Sequence, residues 1–129
     1  MTSIQPELWV EDPRDAVAFF ERAFGAALLH LVGEGQDIVA QLGVGDAAFW
    51  VAPSSPSMKR LSPSTIGGAT GRTLLVVEDP DALVRQAVAA GATESSPVLE
   101  EHGWRVGRIV DPFGHEWEIG LPVVPWPPS

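Results

Sequence analysis

The sequence contains no cysteine, which excludes disulfides, thiolate metal sites and cysteine nucleophiles. Basic residues are few: 8 lysines and arginines stand against 17 acidic residues, a formal charge of −9. Nucleic-acid backbones repel a chain of that sign, and Lys59-Arg60 is the only visible basic cluster, so no nucleic-acid partner is expected. No apolar run is long enough to cross a bilayer. The start, MTSIQPELWVED, has neither the basic n-region nor the apolar core of a signal peptide. These absences predict a cytoplasmic protein with no membrane partner.

What is present suits one domain over residues 1–129: 45% of residues are hydrophobic, and five are tryptophan. Two stretches resemble each other, LWVEDPRDAVAFFERAFGAA (8–27) and LVVEDPDALVRQAVAAGAT (75–93). Both contain V-E-D-P, which places Asp12 on Asp79 at an offset of 67, and both reach Gly-Ala about a dozen residues later. A match across a whole strand-helix-stop unit marks an internal repeat.

In each copy a strand-like run ends at an aspartate suited to N-capping, with proline at the first helical position. The first helix then presents Ala16, Phe19, Phe20 and Ala23 on one stripe; the second presents Leu83, Val84, Ala87 and Ala90. Three short strands follow each helix, at 27–33, 36–43 and 46–52, then at 93–98, 104–110 and 115–121. The fold class read from this pattern is α+β, two βαβββ modules at about 1–53 and 70–123. The Ser/Pro/Gly-rich stretch 54–69 between them reads first as a flexible connector and second as a lid over a site. The tail PVVPWPPS reads as extended.

Near the end, GRIVDPFGHEWEIG places a tight turn before a strand with Trp117, Ile119 and Leu121 on one face and Glu116 and Glu118 on the other. With the duplicated V-E-D-P units, this D-P-F-G-H-E-W run resembles the glyoxalase/bleomycin-resistance/dioxygenase superfamily, also called vicinal oxygen chelate, and within it the glyoxalase-like or PhnB-like subgroup. The resemblance covers residues 3 to 122. It implies sheets curled around one cleft, often within a homodimer. In the family's enzymes it also implies a divalent metal (Zn, Ni, Fe or Mn) held by one residue from the first and last strand of each module.

Carried across, the family's first-strand positions fall on Gln5 and Arg72, and the last-strand position of the second module falls on Glu118. Aligning GDAAFWVAP (45–53) with GHEWEIGLP (114–122), both ending in proline, puts Phe49 opposite Glu118. Strand parity sets Gln5, Glu7 and Trp9, with Arg72, Leu74 and Val76, on the faces turned away from the helices, so the quartet is expected to share one cleft. Only Gln5 and Glu118 offer metal-binding oxygen. Phe49 has no donor atom, and Arg72 is permanently charged. Two unit charges ~4 Å apart at an effective dielectric of ~20 repel by about 4 kcal/mol, and a divalent ion roughly doubles this.

The expectation is therefore no bound cofactor, with Arg72 pairing to Glu118. His30, His102 and His115 read as surface or hydrogen-bonding residues. Ligand contacts are expected from Glu7, Trp9, Phe49, Arg72, Trp104, Arg108 and Glu118, since flat aromatic walls with a few fixed charges suit a planar or cationic organic molecule. Trp50, opposite in parity to Phe49, is expected in the core or an interface. Metal-free relatives in the superfamily sequester antibiotics such as bleomycin, so the resemblance implies a small organic ligand here. The competing readings are a metal-dependent lyase, isomerase or dioxygenase with Gln5 and Glu118 as ligands, metal-free catalysis with Glu118 or Glu7 as base, and a bland scaffold.

Overall fold

Asp12 and Asp79 start the two long helices as the sequence predicts. Asp12 Oδ1 accepts from the amides of Arg14 (3.0 Å) and Asp15 (3.4 Å), and Asp79 Oδ1 from that of Ala82 (3.1 Å). The helices run Pro13–Phe24 (α1) and Pro80–Ala90, with glycine after each. These come from a computed structural model that describes residues 1–127. The last two residues of the tail read as extended lie outside the described part. No helix among the described residues is long and apolar enough to cross a membrane.

The strands of the first module are Glu7–Val10 (β1), Ala27–Val32 (β2), Val39–Val44 (β3) and Ala47–Pro53 (β4). After the connecting segment, which holds the short helix Pro63–Ile66 (α2), come Arg72–Val76 (β5), the helix Pro80–Ala90 (α3), Thr93–Glu101 (β6), Trp104–Val110 (β7) and Glu116–Pro122 (β8). Each module forms one four-stranded sheet, in the orders β1-β4-β3-β2 and β5-β8-β7-β6. In both, the first strand pairs parallel with the fourth, and the other pairings are antiparallel. The duplicated βαβββ reading holds, and the two sheets remain separate.

Two boundaries differ from expectation by more than one residue, for local reasons. β3 begins later because Glu34 and Asp37 close a turn (Asp37 N to Glu34 O, 3.0 Å). Gly33 makes that turn possible: at φ 89° a Cβ there would sit 2.1 Å from the Asp37 carbonyl oxygen. β6 runs on to Glu101 despite Pro97, because it is an edge strand whose register shifts around Ser96 and Leu99.

The helix-side faces of both sheets and the inner faces of α1 and α3 fuse into one core. Ala16, Phe19, Phe20 and Ala23 are buried, as are Val84 and Ala87, with Leu83 and Ala90 packed at the margin. Phe20 is the hub. Its ring meets Phe19, Phe24, Phe49, Phe113 and Trp117 at centroid distances of 5.0, 5.4, 5.0, 6.2 and 5.5 Å. Phe49 of the first sheet and Trp117 of the second touch at 5.2 Å, so the modules share aromatic packing rather than merely adjoining.

The stretch read as a flexible connector has definite structure. Ser55 and Arg60 close a small loop through paired backbone hydrogen bonds (2.8 and 3.0 Å), and α2 follows. Pro63 packs onto the Asp111–Gly114 turn so closely that a Cβ on Gly114 would lie 2.8 Å from the Pro63 Cβ. This strap crosses from one module to the other.

Candidate functional site

The faces of the two sheets that turn away from the core carry the polar side chains. Leu8 and Val10 are buried, whereas Glu7 is exposed and Trp9 half-buried; Arg72, Leu74 and Val76 are exposed in alternation with half-buried Thr73 and Leu75. The parity expected of these strands is observed.

Phe49 is the exception, and a correction. Cross-strand register pairs Glu7 with Trp50 and Leu74 with Glu118, so Trp50 is the repeat equivalent of Glu118, and Phe49 that of Trp117. Anchoring the alignment on Pro53 and Pro122 slips it by one residue, and a one-residue slip in a strand reverses every side chain. Phe49 is 5% exposed in the core and does not line the open face. Trp50 stands there instead, half-buried, so of the two places expected for it, core or interface, the core is excluded.

Each open face carries a cluster built from repeat-equivalent positions. In the first module, Gln5 Oε1 accepts from Gln41 Nε2 (2.9 Å) and from the Trp50 indole N–H (2.8 Å). The His30 ring meets Trp50 edge-on at 6.2 Å. In the second, Glu118 accepts from Arg108 Nε (2.9 Å) and pairs with Arg72 Nε at 3.5 Å. Arg108 also donates to Glu101 (2.9 Å). The Glu118 hydrogen bond, helped by Glu101, holds the Arg108 guanidinium above its already high ordinary pKa. The roles are exchanged between halves: the acceptor is the residue leading into the first strand in one and the last-strand residue in the other.

Trp104 and Arg108 do share the open face, where with Leu74, Val106, Glu101, His102 and Glu118 they border a depression of about 210 Å³. Glu7, Trp9 and Arg72 border a second cavity of about 280 Å³, roofed by Leu61, Pro63 and Ile66 of the strap. Gln5 and Gln41 border a third of about 450 Å³, which reaches Phe24, Phe49 and Trp117. The four family positions therefore do not converge on one cleft within a single chain: Gln5 and Glu118 belong to different cavities. Among the described residues, no three His, Cys, Asp or Glu side chains converge as a metal-holding group. His115 donates its Nε2–H to the Trp9 carbonyl oxygen (2.8 Å), a hydrogen-bonding role joining the modules.

Gln41, Trp50 and Glu101 were missed from the sequence. The repeat offset that links Gln5 to Arg72 also links Gln41 to Arg108, so Gln41 was within reach of the same argument. Glu101 sits beyond the predicted end of its strand and carried no such signal.

Glu11, just after β1, anchors the strap. Its carboxylate accepts from the hydroxyls of Ser62, Ser64 (2.9 Å) and Ser54 (3.2 Å). Those hydroxyls, Ser62 first, hold its pKa below the ordinary 4.5. A carboxylate lowered on folding stabilises above its unfolded value and loses that contribution as pH falls through the lowered one. Measured against the intrinsic exchange rate at each pH, protection of the strap amides should therefore be strong above pH 4.5 and weaken toward fast exchange under more acid conditions. Glu11→Gln should show the fast exchange at pH ~7. Strap amides equally protected in both proteins would remove the anchor.

The sequence profile of the Glyoxalase/Bleomycin resistance protein/Dioxygenase superfamily matches residues 3–119. An uncharacterized protein of Mycobacterium bovis is 35% identical over 128 residues, covering 94% of this chain and 84% of that protein. The X-ray structure of an Arabidopsis thaliana gene product aligns with TM-score 0.67 and 30% identity, over 92% of this chain and 96% of the other. TioX from Micromonospora sp. ML1 aligns with TM-score 0.72 and 29% identity, over 96% and 98%.

Proposed function

The chain belongs to the Glyoxalase/Bleomycin resistance protein/Dioxygenase superfamily, and on that premise we propose that it is a metal-independent protein that binds a small organic molecule. The ligand class is a planar compound, an antibiotic of the kind the family's resistance proteins take being one case, sequestered in the cytoplasm. One observation carries the reading. Both oxygen donors at the family's metal positions are already committed: Gln5 Oε1 to two N–H donors, and Glu118 to two guanidiniums. The remaining positions, Trp50 and Arg72, present N–H groups and no metal-binding lone pair. A divalent ion at Glu118 would have to displace two cations first.

The binding surface is assigned to Glu7, Trp9, Arg72, Trp104, Arg108 and Glu118, on the open faces of the two sheets. A homodimer completes it. β1 and β5 are each the edge of their own sheet, and Leu28, Leu29, Leu31 and Val32 on β2 are exposed, as are Leu74 and Val76 on β5. So much apolar surface is a liability in a monomer. Facing the first module of one copy with the second module of another covers it. The same arrangement joins the indole-amide half of the site to the ionic half.

The metal-dependent lyase, isomerase or dioxygenase reading rests on Gln5 and Glu118 as oxygen ligands, and one sample separates the two. Protein stripped with EDTA is expected to sediment as a dimer and to give no stoichiometric nickel or zinc binding by calorimetry. Its tryptophan fluorescence is expected to be quenched by an antibiotic that carries a flat aromatic group, such as bleomycin. One nickel or zinc bound per site with micromolar or tighter affinity would overturn the metal-free reading.

A further inference from the structure

The Trp9 indole already has a cation on it. The Arg60 guanidinium carbon stands 5.3 Å from the ring centroid, within cation–π range. Arg60 is exposed, and its contact with Trp9 is made by the strap rather than by the sheet. The local backbone aims it there. Ser55 and Arg60 bond to each other to close a tight loop, and Lys59 adopts φ 61°, a left-handed conformation uncommon outside glycine. A non-glycine residue in that conformation persists where its surroundings hold it.

Trp9 also borders the strap-roofed cavity of about 280 Å³, with Glu7, Glu116 and Arg72 on its walls. Arg72 is drawn toward Glu118, outside this cavity's lining. The walls carry two carboxylates, Glu7 and Glu116, and one guanidinium, and Arg60 on the Trp9 ring beside them supplies the next positive charge. When Arg60 swings out, one negative charge is left uncompensated beside an aromatic face.

We propose that the Trp9 face under Arg60, at the edge of this cavity, is a site for an organic monocation, a flat quaternary or guanidinium-bearing group, and that Arg60 is the tethered occupant of that face, which the ligand must displace. This rests on the small-molecule reading above and names the chemistry of its Trp9 end. A cation arriving on Trp9 replaces both the ring contact and the charge that Arg60 supplied. A neutral ring of the same shape replaces neither, and leaves Arg60 where it is. The strap, anchored at Glu11 and at the Pro63–Gly114 contact, stays closed while Arg60 alone moves.

The test uses the full-length protein and two probes of equal shape, 1-methylquinolinium and 1-methylnaphthalene. Binding is followed by calorimetry and by the indole N–H resonance of Trp9. Arg60→Ala is expected to tighten 1-methylquinolinium about tenfold, the order of one displaced cation–π contact, and to leave 1-methylnaphthalene within a factor of two. Arg60→Lys, which keeps a competing cation, is expected to stay near wild type. Trp9→Leu in the Arg60→Ala background should abolish the gain.

Equal or weaker 1-methylquinolinium binding in Arg60→Ala overturns the proposal, as does an equal gain for both probes, or no shift of the Trp9 resonance. If bleomycin still quenches fluorescence under those outcomes, the broader binding reading stands without this site. Stoichiometric nickel or zinc binding would sink the broader reading independently of the Arg60 result.

Discussion

Phe20→Ala is expected to lower the unfolding free energy by about 3–5 kcal/mol, the range for truncating a buried phenylalanine. The ring is fully buried and touches five other aromatic rings drawn from α1, both sheets and the Asp111–Gly114 turn. Its edge-on contacts at 5.0 Å with Phe19 and Phe49 add to the area term, and since the partners also touch each other the losses do not sum. Truncation opens a cavity at the seam between the modules, where neither half can collapse without pulling on the other. Both modules should therefore unfold together at lower urea, in one transition, with Phe20→Leu less affected. A loss under about 1 kcal/mol, or two resolved transitions with the second module unchanged, would show that the seam is not the shared core described here.

Asp111→Ala should cost about 2–4 kcal/mol, because it strands several buried donors at once. Asp111 is 3% exposed. Its Oδ1 accepts from the amides of Phe113 (3.0 Å) and His115 (2.9 Å), and its Oδ2 from the Trp117 indole N–H (3.0 Å). Burial, opposed by the Trp117 hydrogen bond and by His115, pushes its pKa above the ordinary 3.8. An acid raised on folding stabilises most when protonated, below its unfolded value. That contribution fades as pH rises through the raised one. Asp111→Asn removes this titration and keeps an acceptor for the two amides, but turns an NH₂ toward the indole N–H. Urea titrations from pH ~3 to ~7 should thus give Asn a flatter stability profile than wild type over the acid range and a smaller loss than Ala at neutral pH. Parallel wild-type and Asn profiles would mean that Asp111 does not titrate in the folded protein. The turn it braces sets where β8 begins, and so where Glu118 lies.

Much of this architecture was legible in the sequence because it is written in local chemistry. Capping aspartates, the proline after each, and the stripe through Phe19 and Phe20 depend on neighbours a few residues away, and they placed both helices. Strand parity also depends only on alternation, which is why Glu7, Trp9, Arg72 and Glu118 were put on the open faces. Phe49 failed because its assignment leaned on matching two terminal prolines, and the backbone pairing of β4 with β1 does not respect that match. The separation of Gln5 from Glu118 was invisible for a different reason: parity says which way a side chain points, not which sheet it will meet. Arg60 over Trp9 depends on the backbone turn at Lys59, and no pattern in PSSPSMKRLSPS announces a left-handed lysine.

The exchanged roles in the two polar clusters give the proposed dimer's clefts a built-in polarity. One wall, indole and carboxamide, is indifferent to ionic strength; the opposite wall, guanidinium and carboxylate, is not. In that proposed dimer, a guest spanning such a cleft would have a single preferred direction. Added salt would loosen one end of each guest while the other stayed in place.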